Sequence, residues 1–304
     1  MLENLVIVAG QVAVLFLLMA VGFLLGRLKW LDGNSTAQLS RILLYIILPC
    51  VVVRSLQVPF SLSLLADLGT GCLLVLLHTS LLIAVCHMTF RRTDPVVQAP
   101  LRFAQVYSNN LFMGLPLLMA VLGDSVAVYV VPSLLVVQLF MWTHGSALMG
   151  GKMSPAKMFL NPGVIGVLVG ALFFLAGVSL PGPVYTALGH IGNMNTPLSM
   201  MIVGYQMSQT DLKTTFINSK LYGTALIRLI LAPALAFAVM APIRLSRPEM
   251  YASLVILSGA PAASITSSFS IQHGKDANTG AQITSLSTLF SLMTLPVCAV
   301  LAQP

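Results

Sequence analysis

The sequence reads as an all-α integral membrane protein, with ten transmembrane helices in two inverted five-helix repeats that contribute two crossed, broken helices. Three observations lead to that class. Hydrophobic residues make up 57% of the 304 positions and charged ones 8%, with a mean hydropathy of +0.94, whereas a soluble domain carries about 25% charged residues. Apolar stretches recur along the whole chain at lengths that fit a bilayer. Two of them are interrupted by matched tripeptides, Gly114-Leu-Pro116 and Gly259-Ala-Pro261. Lipid tolerates a broken helix only where the freed amides and carbonyls line a protected cavity, so paired breaks point to a central binding site.

Taken in order, the apolar stretches lie near 5–26, 38–57, 64–90, 99–122, 126–149, 158–179, 188–208, 216–242, 248–272 and 280–302. Each suits a hydrocarbon core of ~30 Å, which needs about 20 residues at 1.5 Å rise. The first lacks a basic lead-in and a small-residue cleavage site, and is expected to be a retained helix rather than a signal peptide. Continuous apolarity excludes the dyad alternation of an outer-membrane barrel. The four cysteines, Cys50, Cys72, Cys86 and Cys298, lack CxxC spacing, so neither a disulfide nor a metal framework is implied.

Charge placement sets an expected orientation. Loops after odd-numbered stretches carry Arg27, Lys29, Arg41, Arg91, Arg92, Arg102, Lys152, Lys157, Lys213, Lys220 and Lys275, and loops after even-numbered ones only Arg54, Arg244 and Arg247. By the positive-inside rule the first set is cytoplasmic and both termini are extracytoplasmic, in a multi-pass protein of the cell membrane. Five stretches per half invert the second half relative to the first, giving repeats 1–150 and 151–304 joined by a hinge at 150–155. The offset that superposes the tripeptides also superposes Arg102 on Arg247. The net charge of +7 forms no basic stripe or aromatic platform, which argues against nucleic acid.

The chemistry expected at the breaks is hydrogen bonding to an anion. Asn109 and Asn110 precede Gly114 and Pro116, and a proline frees the carbonyl four residues before it while glycine admits a close neighbour. After Gly259 and Pro261, small hydroxyls from Ser264 onward stand beside half-helix amides suited to negative charge. Gln138 and His144 are polar groups of the fifth stretch, and His144 and Asp67 are candidates for proton or ion coupling. Asp124 and Asp276 read as caps. Arg228 stands alone about midway along the eighth stretch, where a charge costs about 2.5–3.5 kcal/mol on insertion scales. HExxH, a P-loop, GxSxG and a paired-carboxylate site are all absent from the sequence, so an enzyme is not expected.

These residues carry a specific likeness. The run Ser108-Asn-Asn-Leu-Phe-Met-Gly-Leu-Pro-Leu-Leu118 with Gly123-Asp124, then Asn161-Pro162, Gly170, Pro181, Asn195-Thr-Pro-Leu198 through Gly204, Arg228-Leu-Ile-Leu-Ala-Pro233, Gly259-Ala-Pro-Ala-Ala263 and Ser291-Leu-Met-Thr-Leu-Pro296 together resemble the auxin efflux carrier family over essentially the whole chain. That family includes the plant PIN-type carriers and bacterial malate or malonate permeases, and is similar in fold to the bile-acid sodium symporters. The resemblance implies a secondary transporter for a small organic anion, mono- or dicarboxylate, working by alternating access. It carries Asn110, Gly114 and Pro116 over as crossover and substrate-site residues, Pro261 as the second crossover proline and Gln138 as a fifth-helix contact. The chain lacks the long regulatory loop of the plant carriers, and Gly71 stands where a third-helix lysine is expected. The alternative is a membrane sensor that binds a carboxylate without completing transport. Expected partners are a small carboxylate and the lipid bilayer, with a homodimer as an option; no cofactor is expected, and coupling to H+ or to Na+ is left open.

Overall fold

In the computed structural model, which describes residues 2–153 and 155–303, all regular structure among the described residues is helical, apart from one isolated bridge between Ser108 and Ala262. The chain begins with α1 (Leu2–Arg27), α2 (Gly33–Ile42), α3 (Leu48–Ser55), α4 (Leu62–Met88) and α5 (Pro95–Val106). It continues through α6 (Leu115–Leu122), α7 (Val130–Phe140), α8 (Ser146–Leu148), α9 (Pro155–Phe159) and α10 (Pro162–Ala176). Then come α11 (Gly182–Asn193), α12 (Asn195–Ser208), α13 (Leu212–Ile217), α14 (Ser219–Leu226), α15 (Ala232–Met240), α16 (Pro248–Ser258), α17 (Thr266–Gln272) and α18 (Ala277–Ala302). The expected hinge includes Ser154, which lies outside the described residues.

Among the described residues, six continuous helices are long and apolar enough to cross a bilayer: Val8–Arg27, Gly33–Ser55, Leu62–Met88, Asp124–Leu148, Ser219–Ile243 and Ala277–Ala302. The stretches read as the fourth, sixth, seventh and ninth spans are instead built of shorter helices. The fourth divides at Tyr107–Asn109 and the ninth at Gly259–Ile265, α10 has 15 residues, and the seventh is two helices that meet at Met194. Large apolar side chains face outward in helical rows, such as Leu17, Val21 and Leu24 on α1 and Leu168, Leu172 and Leu175 on α10. Water would not tolerate so much exposed hydrocarbon, whereas lipid solvates it. The protein is a multi-pass membrane protein.

Three five-residue π turns each end two residues before a proline: Leu43–Ile47 before Pro49 and Ile227–Leu231 before Pro233 inside long helices, and Asn110–Gly114 before Pro116 at the start of a half-helix. A proline has no N–H and presses on the carbonyl four residues earlier. Widening the preceding turn accommodates it without ending the helix.

Glycine lets several helices touch backbone to backbone. A Cβ on Gly22 of α1 would strike the Met201 carbonyl of α12, and one on Gly204 of α12 would strike the Met19 carbonyl of α1. Gly166 and Gly170 of α10 seat in the same way on Pro49 and Leu56 near α3. Without a hydrophobic force between helices in lipid, such close approach is what holds them. α16 is the central helix, with Met250 to Ser258 all buried and α4, α6, α7, α15 and α18 packed around it.

Of the two aspartates expected to be caps, Asp276 is one and Asp124 is not. Asp276 accepts from the amides of Asn278 and Thr279 at the start of α18. Asp32 accepts from the Ser35 amide at 2.7 Å, and this bond holds its carboxyl below the usual range. Asp124 caps nothing: it faces Arg54 across 3.9 Å.

Candidate binding site at the crossing of two broken helices

The two breaks meet. The Asn109 amide donates to the Pro261 carbonyl at 2.8 Å and the Ala263 amide donates to the Tyr107 carbonyl at 2.9 Å, a two-bond antiparallel bridge inside an otherwise helical protein. Each unwound segment therefore satisfies the other's backbone, as low-dielectric surroundings require. Side chains reinforce the junction: Asn109 Nδ2 donates to Ser264 Oγ at 2.9 Å, Ser108 Oγ to Asn110 Oδ1 at 2.6 Å, and Ser287 Oγ accepts from the Ala262 amide at 3.1 Å.

Arg228 closes the underside. Its guanidinium, 1% exposed, donates to the carbonyls of Gln105 and Val106 at 3.2 and 3.1 Å and to that of Ser258. These are the last carbonyls of α5 and α16, so one cation answers two helix C-termini, where the backbone partial charge is negative. No carboxylate approaches it among the described salt bridges. The sequence singled Arg228 out by its isolation but offered no partner, because its acceptors are backbone atoms on two distant helices.

A cavity of about 310 Å³ lies against the crossing, lined by Ser108, Asn109, Asn110, Leu111 and Phe112 from the first break and by Ala263, Ser264, Ile265 and Ser268 from the second. Ser133, Leu134, Val137, Gln138, Met141 and Trp142 form its opposite wall, with Ser40, Leu44, Asn161 and Gln206 completing it. None of these side chains is charged. Two lack protein partners for a buried polar atom, Gln138 Oε1 and Trp142 Nε1. The Lys157 ammonium stands over the Trp142 ring at 5.4 Å.

Of the sequence-derived candidates, Asn109, Asn110, Gln138 and Ser264 line this cavity. Gly114, Pro116, Gly259 and Pro261 do not. The first helix breaks at Tyr107–Asn109, ahead of its Gly-Leu-Pro, because the π turn at Asn110–Gly114 absorbs Pro116 within the second half-helix. Gly114 serves contact instead: a Cβ there would lie 3.1 Å from Leu257 and 3.5 Å from Ala260 of the other broken segment. Gly259 backs onto Cys298, and Pro261 acts through its carbonyl alone.

The two coupling candidates also sit away from the cavity lining. Asp67 pairs with Arg247, and Gly71 fits tightly against Pro132, which leaves no room for a longer side chain. His144 Nδ1 lies 2.9 Å from the Tyr107 hydroxyl and its Nε2 lies 3.0 Å from His87 Nε2. Arg102 and Arg247, paired by the sequence offset, hold opposite ends of α4: Arg102 donates to the His87 and Thr89 carbonyls, while Arg247 meets Asp67 near the first turns. Trp142 and Ser133 were not anticipated as lining residues, whereas Ser268 belongs to the hydroxyl run that follows Pro261; Trp142 in an apolar run carries no sequence signal of an unpaired N–H.

Comparison with known proteins gives the family. A family model described as "Membrane transport protein" matches residues 7–157 and 148–299. An uncharacterized transporter of Methanothermobacter thermautotrophicus is 23% identical over 291 residues, covering 93% of this chain and 94% of the relative. The chain belongs to the membrane transport protein family, that of the auxin efflux carriers.

Proposed function

We propose that the protein is a secondary transporter that carries a small organic anion through the cavity at the helix crossing by alternating access, and that its substrate is a monocarboxylate with an apolar body. The observation that carries this reading is the lining: amide and hydroxyl groups beside the buried, unpaired N–H of Trp142, on a largely apolar wall without a formal charge. The volume of about 310 Å³ is at the low end of ligand pockets, which run ~300–1,000 Å³. One carboxylate can be met by N–H donors from Asn109, Asn110, Gln138 and Trp142, aided by the amides that open the helix at Asn110, which lack acceptors inside it. A second carboxylate would find no cation among the lining side chains, since the Lys157 ammonium stands over Trp142 rather than in the lining, and would bear a desolvation cost.

In this reading the halves form inverted five-helix repeats, ten spans cross the membrane, both termini are extracytoplasmic, and the cavity faces the cytoplasm. Its walls come from the first part of the Gly33–Ser55 helix and the last part of Asp124–Leu148, the ends next to basic loops. The path to the other side is closed where Arg54 faces Asp124 and Gln57 Oε1 accepts from the Leu180 amide. Neither Asp67 nor His144 reaches the cavity, so H+ coupling would act through the helices rather than at the substrate, and Na+ coupling has no lining carboxylate to use.

The experiment is counterflow of labelled monocarboxylates and dicarboxylates in proteoliposomes, with melting-temperature shifts on purified protein to report binding. Binding with exchange of a monocarboxylate is expected. Binding without exchange would identify a sensor, and a preference for dicarboxylates would refute the uncharged-site argument.

A further inference from the structure

Beyond the crossing, the molecule assembles a second group of reactive side chains that transport of an anion does not use. Cys86 and His87 close α4, and His144 sits in the π turn Met141–Gly145 that follows α7. Their ligating atoms, one thiol sulfur and two imidazole nitrogens, all lie within 4.8 Å of one another. Cys86 and His87 are adjacent in sequence, but nothing in the sequence spacing predicts His144 beside them.

Hydrogen bonding settles which nitrogen of His144 is free. The Tyr107 hydroxyl has one proton and donates it to the Phe140 carbonyl at 2.8 Å. Its oxygen must then accept from His144 Nδ1–H at 2.9 Å, which leaves a lone pair on Nε2. That lone pair points at His87 Nε2, 3.0 Å away, with the rings edge to face. A ligating imidazole usually has such an outer-shell partner on its other nitrogen, here the Tyr107 oxygen. Two nitrogens on one metal at ~2.0–2.1 Å stand roughly 3.3 Å apart in tetrahedral geometry, so a few tenths of an ångström of opening suffices. His87 is exposed and free to turn; Cys86, buried, donates to the Ile83 carbonyl at 3.1 Å and can release it by rotating about χ1.

We propose that Cys86, His87 and His144 form a binding site for a soft monovalent d¹⁰ cation, Cu(I), at the end of α4. Thiolate and imidazole are the ligands that such an ion selects. Local charge distinguishes it from Zn2+. The guanidinium groups of Arg91 and Arg102 both donate to the His87 carbonyl, at 3.4 and 3.2 Å. Cu(I) with one thiolate is neutral beside them, whereas Zn2+ with the same ligands keeps a positive charge. On binding, the thiol proton passes to solvent, and if the His87 Nε2 proton is the one shared by the rings, it moves to Nδ1. The ion would tie α4 to the helix of His144, whose Tyr107 partner accepts the crossing bond from the Ala263 amide.

The test uses full-length protein purified without a polyhistidine tag, titrated with Cu(I) against a colorimetric chelator and separately with Zn2+, with stoichiometry read by native mass spectrometry. One Cu(I) per chain and a raised melting temperature are expected, both lost in Cys86→Ser and in His87→Ala, the latter at an exposed position whose side chain touches His144. Tyr107→Phe keeps all three ligands and should weaken Cu(I) about tenfold, the lower end of outer-shell effects. Equal Cu(I) retention by wild type, Cys86→Ser and His87→Ala would overturn the site and assign the metal to Cys50, Cys72 or Cys298. No retained ion in the wild type would overturn it outright, and preference for Zn2+ would overturn the choice of Cu(I).

Discussion

Asn109 and Pro261 are joined by a 2.8 Å backbone hydrogen bond, which gives the Asn109 N–H an acceptor on the other broken segment while the Asn109 carbonyl accepts from the amides of Met113 and Gly114. The bond places the unwound part of one broken helix directly against that of the other. It also turns Asn109 and Ser264, far apart in sequence, into a hydrogen-bonded pair at 2.9 Å on the cavity wall.

Gln138 offers the cleanest test of the cavity. Its Oε1 is buried without a partner, so Gln138→Leu removes an unsatisfied group and should leave the melting temperature unchanged or higher. The carboxylate's partner on this side chain is the other amide atom, Nε2, which donates; a hydrogen bond to a charged ligand is worth about 1.5–3 kcal/mol, so losing it should lower carboxylate affinity roughly ten- to a hundredfold. Isothermal titration on the two proteins decides it, and unchanged affinity removes Gln138 from the site.

Arg228 is expected to control stability through geometry as well as charge. Arg228→Met leaves three buried carbonyls short of a donor and should cost at least about 3 kcal/mol, at 1–3 kcal/mol per unsatisfied group. Arg228→Lys keeps the charge, but a compact ammonium cannot span the ends of both α5 and α16, so it should recover only part of the loss. Chemical denaturation in detergent measures the order wild type, Lys, Met. A lysine variant as stable as wild type would mean that charge alone matters.

Pro116 separates helix stability from transport. In Pro116→Ala the N–H returns, the π turn at Asn110–Gly114 can tighten to an α turn, and stability should rise by up to about 3 kcal/mol, the helix-interior difference between proline and alanine. Removing the extra residue of that turn rotates Asn110 away from the cavity. Uptake per folded molecule should therefore fall at least tenfold in liposomes while the melting temperature holds or rises. Full uptake would mean that the π turn does not aim Asn110.

Orientation can be read by labelling single cysteines in intact cells. With basic loops cytoplasmic, a cysteine at Ser35 should resist an impermeant thiol reagent applied outside, and one at Gly182, the exposed first residue of α11, should react. The reverse pattern would invert the proposed topology.

Sequence alone determined the solvent and the class, because hydropathy is local and additive along the chain: the apolar runs, the uneven basic loops and the breaking tripeptides were all legible. It also marked Asn109, Asn110, Gln138 and Ser264, since an amide or hydroxyl inside an apolar run advertises itself. What it could not place was the break. Gly114 and Pro116 are the visible helix breakers, yet the chain unwinds at Tyr107–Asn109, because a π turn absorbs the proline and the other broken helix supplies hydrogen bonds where it crosses. The acceptors of Arg228, the ring of Trp142 on the cavity wall and the approach of His144 to His87 belong to the same class. Each depends on contacts between segments distant in sequence, and packing in three dimensions sets those, whereas hydropathy and spacing do not.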